Sequence, residues 1–112
     1  MTFHGPWNAS GVKPGQAWDH TRMRVDPPYP NPFTSGLSAS FSIPAEMPVR
    51  LRVFDSSGRL VRTLVDRTLA AGWHRFAWDG RDNAGMEAAS GVYFLDLKGG
   101  KEGARTRLVR IR

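Results

Sequence analysis

The chain is 112 residues long, 40% hydrophobic and 23% charged, which gives room for one globular domain with one core. It holds no cysteine, which excludes a disulfide framework and any thiolate-bound metal; its apolar runs fall far short of the ~18 residues of a membrane helix, so no membrane insertion is expected. The net charge of +6 sits mainly in the closing stretch, where Lys98 to Arg112 carry six basic residues against Glu102 alone, a net of +5.

The opening MTFHGPWNASG lacks the basic and continuous apolar regions of a secretory signal. Residues 1–34 hold most of the prolines, and the run Asp26-Pro27-Pro28-Tyr29-Pro30-Asn31-Pro32-Phe33 must be extended and cannot sit inside a sheet, because proline fixes φ and removes a backbone donor. Residues 1–34 therefore read as a lead-in, linker or tail of a preceding module, with Tyr29 or Phe33 packing as a plug on the domain that follows at 35–112.

Regular alternation begins at Leu37. Leu37, Ala39, Phe41 and Ile43 alternate with Ser38, Ser40 and Ser42, a period of two that predicts a half-buried strand. After a turn at Pro44–Pro48, Val49, Leu51 and Val53 alternate with Arg50 and Arg52, giving a second strand with one apolar and one basic face. Asp55-Ser56-Ser57-Gly58 is a turn in which the short polar side chains bond nearby N–H groups and Gly58 takes positive φ. A third strand is expected over Arg59–Val65 and a loop over Asp66–Ala71.

Trp73–Trp78 forms the fourth strand, with His74, Phe76 and Trp78 on one face. The loop Asp79-Gly80-Arg81-Asp82-Asn83-Ala84-Gly85 follows, then a very short strand over Met86–Ala88. Gly91–Leu97 is β-prone on both faces and reads as a central strand, with Gly91 and Tyr93 at its start. A flexible hairpin loop over Lys98–Gly103 leads to a last strand at Ala104–Ile111. About six to seven strands with turn chemistry between them predict an all-β, Ig-like antiparallel β-sandwich.

Asp79, Asp82, Asn83 and Glu87 offer hard oxygen atoms of the kind Ca²⁺ takes, but their spacing fits no loop pattern and Arg81 stands among them. The favoured reading is structural: Asp79 and Asp82 accept N–H groups of their own loop, and Gly80 and Gly85 supply positive φ. His4, His20 and His74 are scattered, and no nucleophile, base and orienting group can be assembled from spacing. No cofactor, metal or enzymatic activity is expected.

The basic end could contact phosphates through Lys98, Lys101, Arg105, Arg107, Arg110 and Arg112, yet it lacks the interleaved aromatics of a single-strand binder, and no nucleic acid is expected. Carbohydrate stacking would fall to Trp7, Trp18 or Trp73.

The residues also carry a family resemblance. Pro30-Asn31-Pro32-Phe33 with Ser40-Phe41-Ser42-Ile43-Pro44, the segment from Val49 to Leu64, Ala71-Gly72-Trp73-His74, Trp78-Asp79-Gly80-Arg81-Asp82-Asn83-Ala84-Gly85 and Ser90-Gly91-Val92-Tyr93-Phe94 follow in the order found in FlgD-type Ig-like domains. That family is similar both to the Ig-like part of the flagellar hook-capping protein and to the C-terminal sorting domains of type IX secretion.

The resemblance implies a non-enzymatic sorting or anchoring module of a larger secreted or cell-surface bacterial protein. A secretion-machinery protein or neighbouring domain would be its partner, and Arg107, Leu108, Val109, Arg110, Ile111 and Arg112 would be the recognition residues. The alternative it implies is a structural or adhesive module of the hook-cap type; a carbohydrate-binding accessory domain is a further alternative.

Overall fold

The computed structural model describes residues 22–111. They form seven strands: β1 (Arg24–Val25), β2 (Leu37–Ile43), β3 (Met47–Asp55), β4 (Leu60–Leu69), β5 (Gly72–Trp78), β6 (Gly91–Gly99) and β7 (Glu102–Arg110). One sheet has the order β1-β2-β5 and the other β4-β3-β6-β7, with every pairing between these strands antiparallel. The expected sandwich is therefore present, and the central strand read over Gly91–Leu97 is β6, an interior strand of the larger sheet that runs on to Gly99.

Alternation decides what lies between the sheets. Leu37, Ala39, Phe41 and Ile43 of β2, with Phe76 and Trp78 of β5 beside them in the same sheet, face Val49, Leu51 and Val53 of β3 and Tyr93, Leu95 and Leu97 of β6; all are buried. Trp78, 1% exposed, is the largest of them. Phe33 lies 5.4 Å from its ring and Tyr93 meets it edge-on at 5.6 Å. Burying aromatics of this size supplies the core that cysteine-free chains of this length require.

Several boundaries differ from expectation. β4 runs on to Leu69, because Asp66 to Leu69 pair with Arg50 to Met47 after a register shift at Leu51/Arg52; the polar composition there reflects an exposed edge, not a loop. The last hairpin is tighter than expected, turning at Gly100-Lys101 between strands that reach Gly99 and restart at Glu102. The short strand over Met86–Ala88 is an isolated bridge from Glu87 to Arg81.

The lead-in expected over 1–34 divides. From Met23 onward it is part of the sandwich: Met23 and Phe33 are buried core residues, so the plug is Phe33, while Tyr29 is 79% exposed. Residues 24–29 follow β2, with Asp26 and Tyr29 donating to Ser40 O and Ser38 O. The chain then crosses to the other sheet, where Phe33 bridges Arg110 in parallel. The Tyr29–Pro30 and Asn31–Pro32 peptides in this crossing are cis.

Candidate functional site

Arg110 stands on the inward side of β7, in register with Leu108, and is 4% exposed. A buried guanidinium is tolerated only when its donors are satisfied. Its Nε donates to Thr34 O (3.1 Å), its Nη1 to Gly80 O and Ala88 O, and its Nη2 to Glu87 Oε1 (3.1 Å). Its other face lies over the Phe33 ring, 5.8 Å from the centroid. One side chain therefore ties the segment that leads into β2, the loop after Trp78 and the approach to β6 to the last strand.

The loop after Trp78 supplies the other half. Trp78 Nε1 donates to Arg81 O (2.9 Å), closing the turn onto the core tryptophan. Asp79 Oδ1 accepts Arg81 N–H at 3.0 Å and Arg62 Nη1 at 3.1 Å. Asp82 Oδ1 accepts the N–H groups of Ala84 and Met86, each at 2.9 Å. Gly80 and Gly85 take φ of 80° and 86°. These bonds are made to groups of the loop itself and to the Arg62 side chain.

Each side chain that offered an oxygen to a cation bonds within the protein through at least one of its oxygens. Asn83 Oδ1 accepts Thr63 N–H, and Glu87 pairs with Arg110. Among the described residues no group of three metal-ligating side chains is placed to hold an ion. Partial burial works against ionisation of Asp79, but the Arg81 N–H and the Arg62 charge outweigh it and hold its carboxyl below the ordinary value of 3.8. Asp55 is lowered as well, by the Ser57 hydroxyl first and then by Arg59 N–H. His74 is engaged locally, its Nε2 2.7 Å from Ala70 O and its ring 5.6 Å from that of Phe41.

The six residues assigned to partner recognition separate by side. Leu108 and Arg110 are buried and serve the fold, a correction that follows from their shared inward parity on β7. Arg107 and Ile111 are exposed and Val109 is half-buried. Arg112 lies outside the described residues, as do His4, Trp7, His20 and Trp18.

Nor is the backbone edge of β7 open along this stretch. Asn31 Oδ1 accepts Val109 N–H and its Nδ2 donates to Arg107 O, each at 3.0 Å, while Phe33 exchanges bonds with Val109 O and Ile111 N–H. The opposite edge is closed in the same way: Asn83 N–H donates to Val61 O and Asn83 Oδ1 accepts from Thr63. Sequence reasoning missed both asparagines as edge caps. An Asn next to a proline or glycine turn was the available signal.

On the outer face of the larger sheet, Phe54 of β3 stands opposite Phe94 of β6, with Arg107 beside Phe94 on β7. The adjoining row holds Arg52, Asp96 and Arg105. Arg52 stacks over Phe54 at 5.1 Å and Arg105 over Phe94 at 5.4 Å. Asp96, 5% exposed, lies 3.9 Å from Arg52 and 3.5 Å from Arg105.

A sheet pair of this order, with a tyrosine near the start of β6 whose hydroxyl donates back to Ala89 O, defines an immunoglobulin-like β-sandwich domain. Residues 32–103 match the FlgD Ig-like domain, and the chain belongs to that family. No curated protein sequence matches the chain significantly.

Among solved structures it is similar to FlgD of P. aeruginosa, at 26% identity and a TM-score of 0.53, over 68% of this chain and 64% of that one. FlgD of Xanthomonas campestris, described with hook capping in flagellar assembly, aligns at 25% identity and a TM-score of 0.55, over 79% of this chain and 64% of that one. PorZ of Porphyromonas gingivalis, a surface component of the type-IX secretion system, shares the fold at 23% identity and a TM-score of 0.55, over 89% of this chain and 13% of that one. The chain thus spans less than two thirds of each. No helix among the described residues is long and apolar enough to cross a membrane.

Proposed function

We propose that the domain is a non-enzymatic interaction module that sorts or anchors a secreted or surface protein by presenting its last strand to a secretion partner. The observation that carries this reading is the way β7 is built in. Its edge at 107–111 is closed by Asn31 and Phe33 and its inward side chains are spent on the core, which leaves Arg107 and Val109 presented on the outer sheet face. Recognition then runs through side chains on that face and not through strand addition at that edge.

The test fuses the full chain behind an exported reporter in a host competent for type IX secretion. Truncating the last strand would remove Leu108 and Arg110 and unfold the domain, so the informative variant is Arg107→Glu combined with Val109→Thr. Export of the variant reporter at the level of the parent would sink the sorting role of this strand.

A second reading, a structural module of the hook-cap type, is favoured by the 26% and 25% identity to the two FlgD chains. It requires association with copies or neighbouring subunits. A chain that sediments as a monomer and binds none of the products of adjacent genes would count against it.

A further inference from the structure

We infer that the outer face of the β4-β3-β6-β7 sheet is a docking surface for an acidic protein segment carrying apolar side chains. The inference rests on the interaction-module reading above and names the chemistry of its partner. Strand register places Arg50 beside Lys98, Arg52 beside Asp96 and Arg105, and Phe54 beside Phe94 and Arg107, with Val92 beside Val109 in the next row. All of these side chains alternate with buried ones and so point away from the core.

The charge on this face is unbalanced. Arg50, Arg52, Lys98, Arg105 and Arg107 stand against Asp66, paired with Arg50, and Asp96. Asp96 is already held between Arg52 and Arg105, while Arg50, Lys98 and Arg107 are exposed. The Nε of Arg52 has no hydrogen-bond acceptor. Phe54, Phe94, Val92 and Val109 are each half-buried and form an apolar floor between these cations. A mixed floor of aromatics and arginines is the composition that interaction hot spots favour. The excess of cations selects a negatively charged occupant.

A polypeptide fits this face better than a nucleic acid does. Stacking of bases needs open rings, and here each phenylalanine is already covered on one side by a guanidinium.

The full chain is titrated with a fluorescein-labelled peptide of alternating glutamate and leucine, with polyglutamate, a lysine–leucine peptide and single-stranded oligothymidine as parallel probes. The expected result is binding of the glutamate–leucine peptide above all three. Arg107→Glu, which alters an exposed side chain only, should weaken it at least tenfold, and Phe94→Ala should do the same with the unfolding midpoint checked alongside. Polyglutamate binding equally well removes the apolar floor from the inference, and tighter oligothymidine binding assigns the face to nucleic acid; either overturns it, as does peptide binding that ignores Arg107→Glu. Loss of peptide binding in a variant that still exports its reporter would leave the docking face standing and sink the sorting role instead. Loss of export with no peptide bound by the parent would do the reverse.

Discussion

The guanidinium of Arg110 rests against the backbone of Gly80, so closely that a Cβ at Gly80 would stand 2.7 Å from Arg110 Nη1. The absence of a side chain at one position is what lets the buried charge at the other reach the Gly80 and Ala88 carbonyls. Gly80 also has φ of 80°, so two separate requirements meet at one residue.

Gly80→Ala and Gly85→Ala should therefore differ. Both force an L side chain into left-handed backbone, which costs ~1–2 kcal/mol. Gly85 has open space around the new methyl, whereas at Gly80 the Arg110 side chain must move and give up its bonds. Urea denaturation should show the larger loss at Gly80; equal losses would mean that the close approach is immaterial.

Removing the charge itself should cost more. Arg110→Met takes one donor each from the Thr34, Gly80 and Ala88 carbonyls and the cation from the half-exposed Glu87, and a buried acceptor left short of its donor costs ~1–3 kcal/mol. Arg110→Lys should recover little, since one ammonium cannot span acceptors arranged for a planar fork. A lysine variant as stable as the parent in thermal unfolding would refute the role given to the fork.

Trp78→Ala empties the centre of the core, where the ring meets Phe33 and Tyr93, and should cost ~3–5 kcal/mol. A loss under about 1 kcal/mol, the scale of a tolerated substitution, would contradict its burial.

The asparagine caps predict a change in association. Asn31→Ala removes two hydrogen bonds from the β7 edge, and Asn83→Ala removes one from the β4 edge. Each lost bond costs only ~0.5–1.5 kcal/mol, but the freed strand edge can pair with another chain. Light scattering should report more self-association for the double variant than for either single one.

Acid should weaken the fold. The folded-state carboxyls of Asp55 and Asp79 lie below 3.8, so the unfolded chain takes up protons first as pH falls. Their stabilisation is complete above 3.8 and is lost as pH drops through the depressed values. Asp79→Asn should show a shallower decline of the unfolding midpoint as pH falls below 3.8, and a slope identical to the parent's there would sink the assignment.

Much of the fold was legible because its signals are local. The Leu37–Ile43 alternation, the Asp55 and Asp79–Gly85 turns and the order of the motifs each depend on neighbours a few residues apart. Where β4 ends was less legible, since Asp66 to Leu69 are held by pairing with β3 and not by their own composition. The proline-rich segment misled for a related reason. Proline forbids a place inside a sheet, and the segment takes the one position left to it, along two edges in turn.

Strand parity is already present in the order of residues: alternation with Leu108 puts Arg110 on the inward side and Arg107 on the outward side of the last strand. A buried arginine is only a cost until its acceptors are found, and they come from Thr34, Gly80, Glu87 and Ala88, far away along the chain. Only the packing of the two sheets brings those groups together. The same packing divided the basic residues of the last strand between two surfaces, one satisfying the core and one left on the outer sheet face, because a strand sends successive side chains to opposite faces.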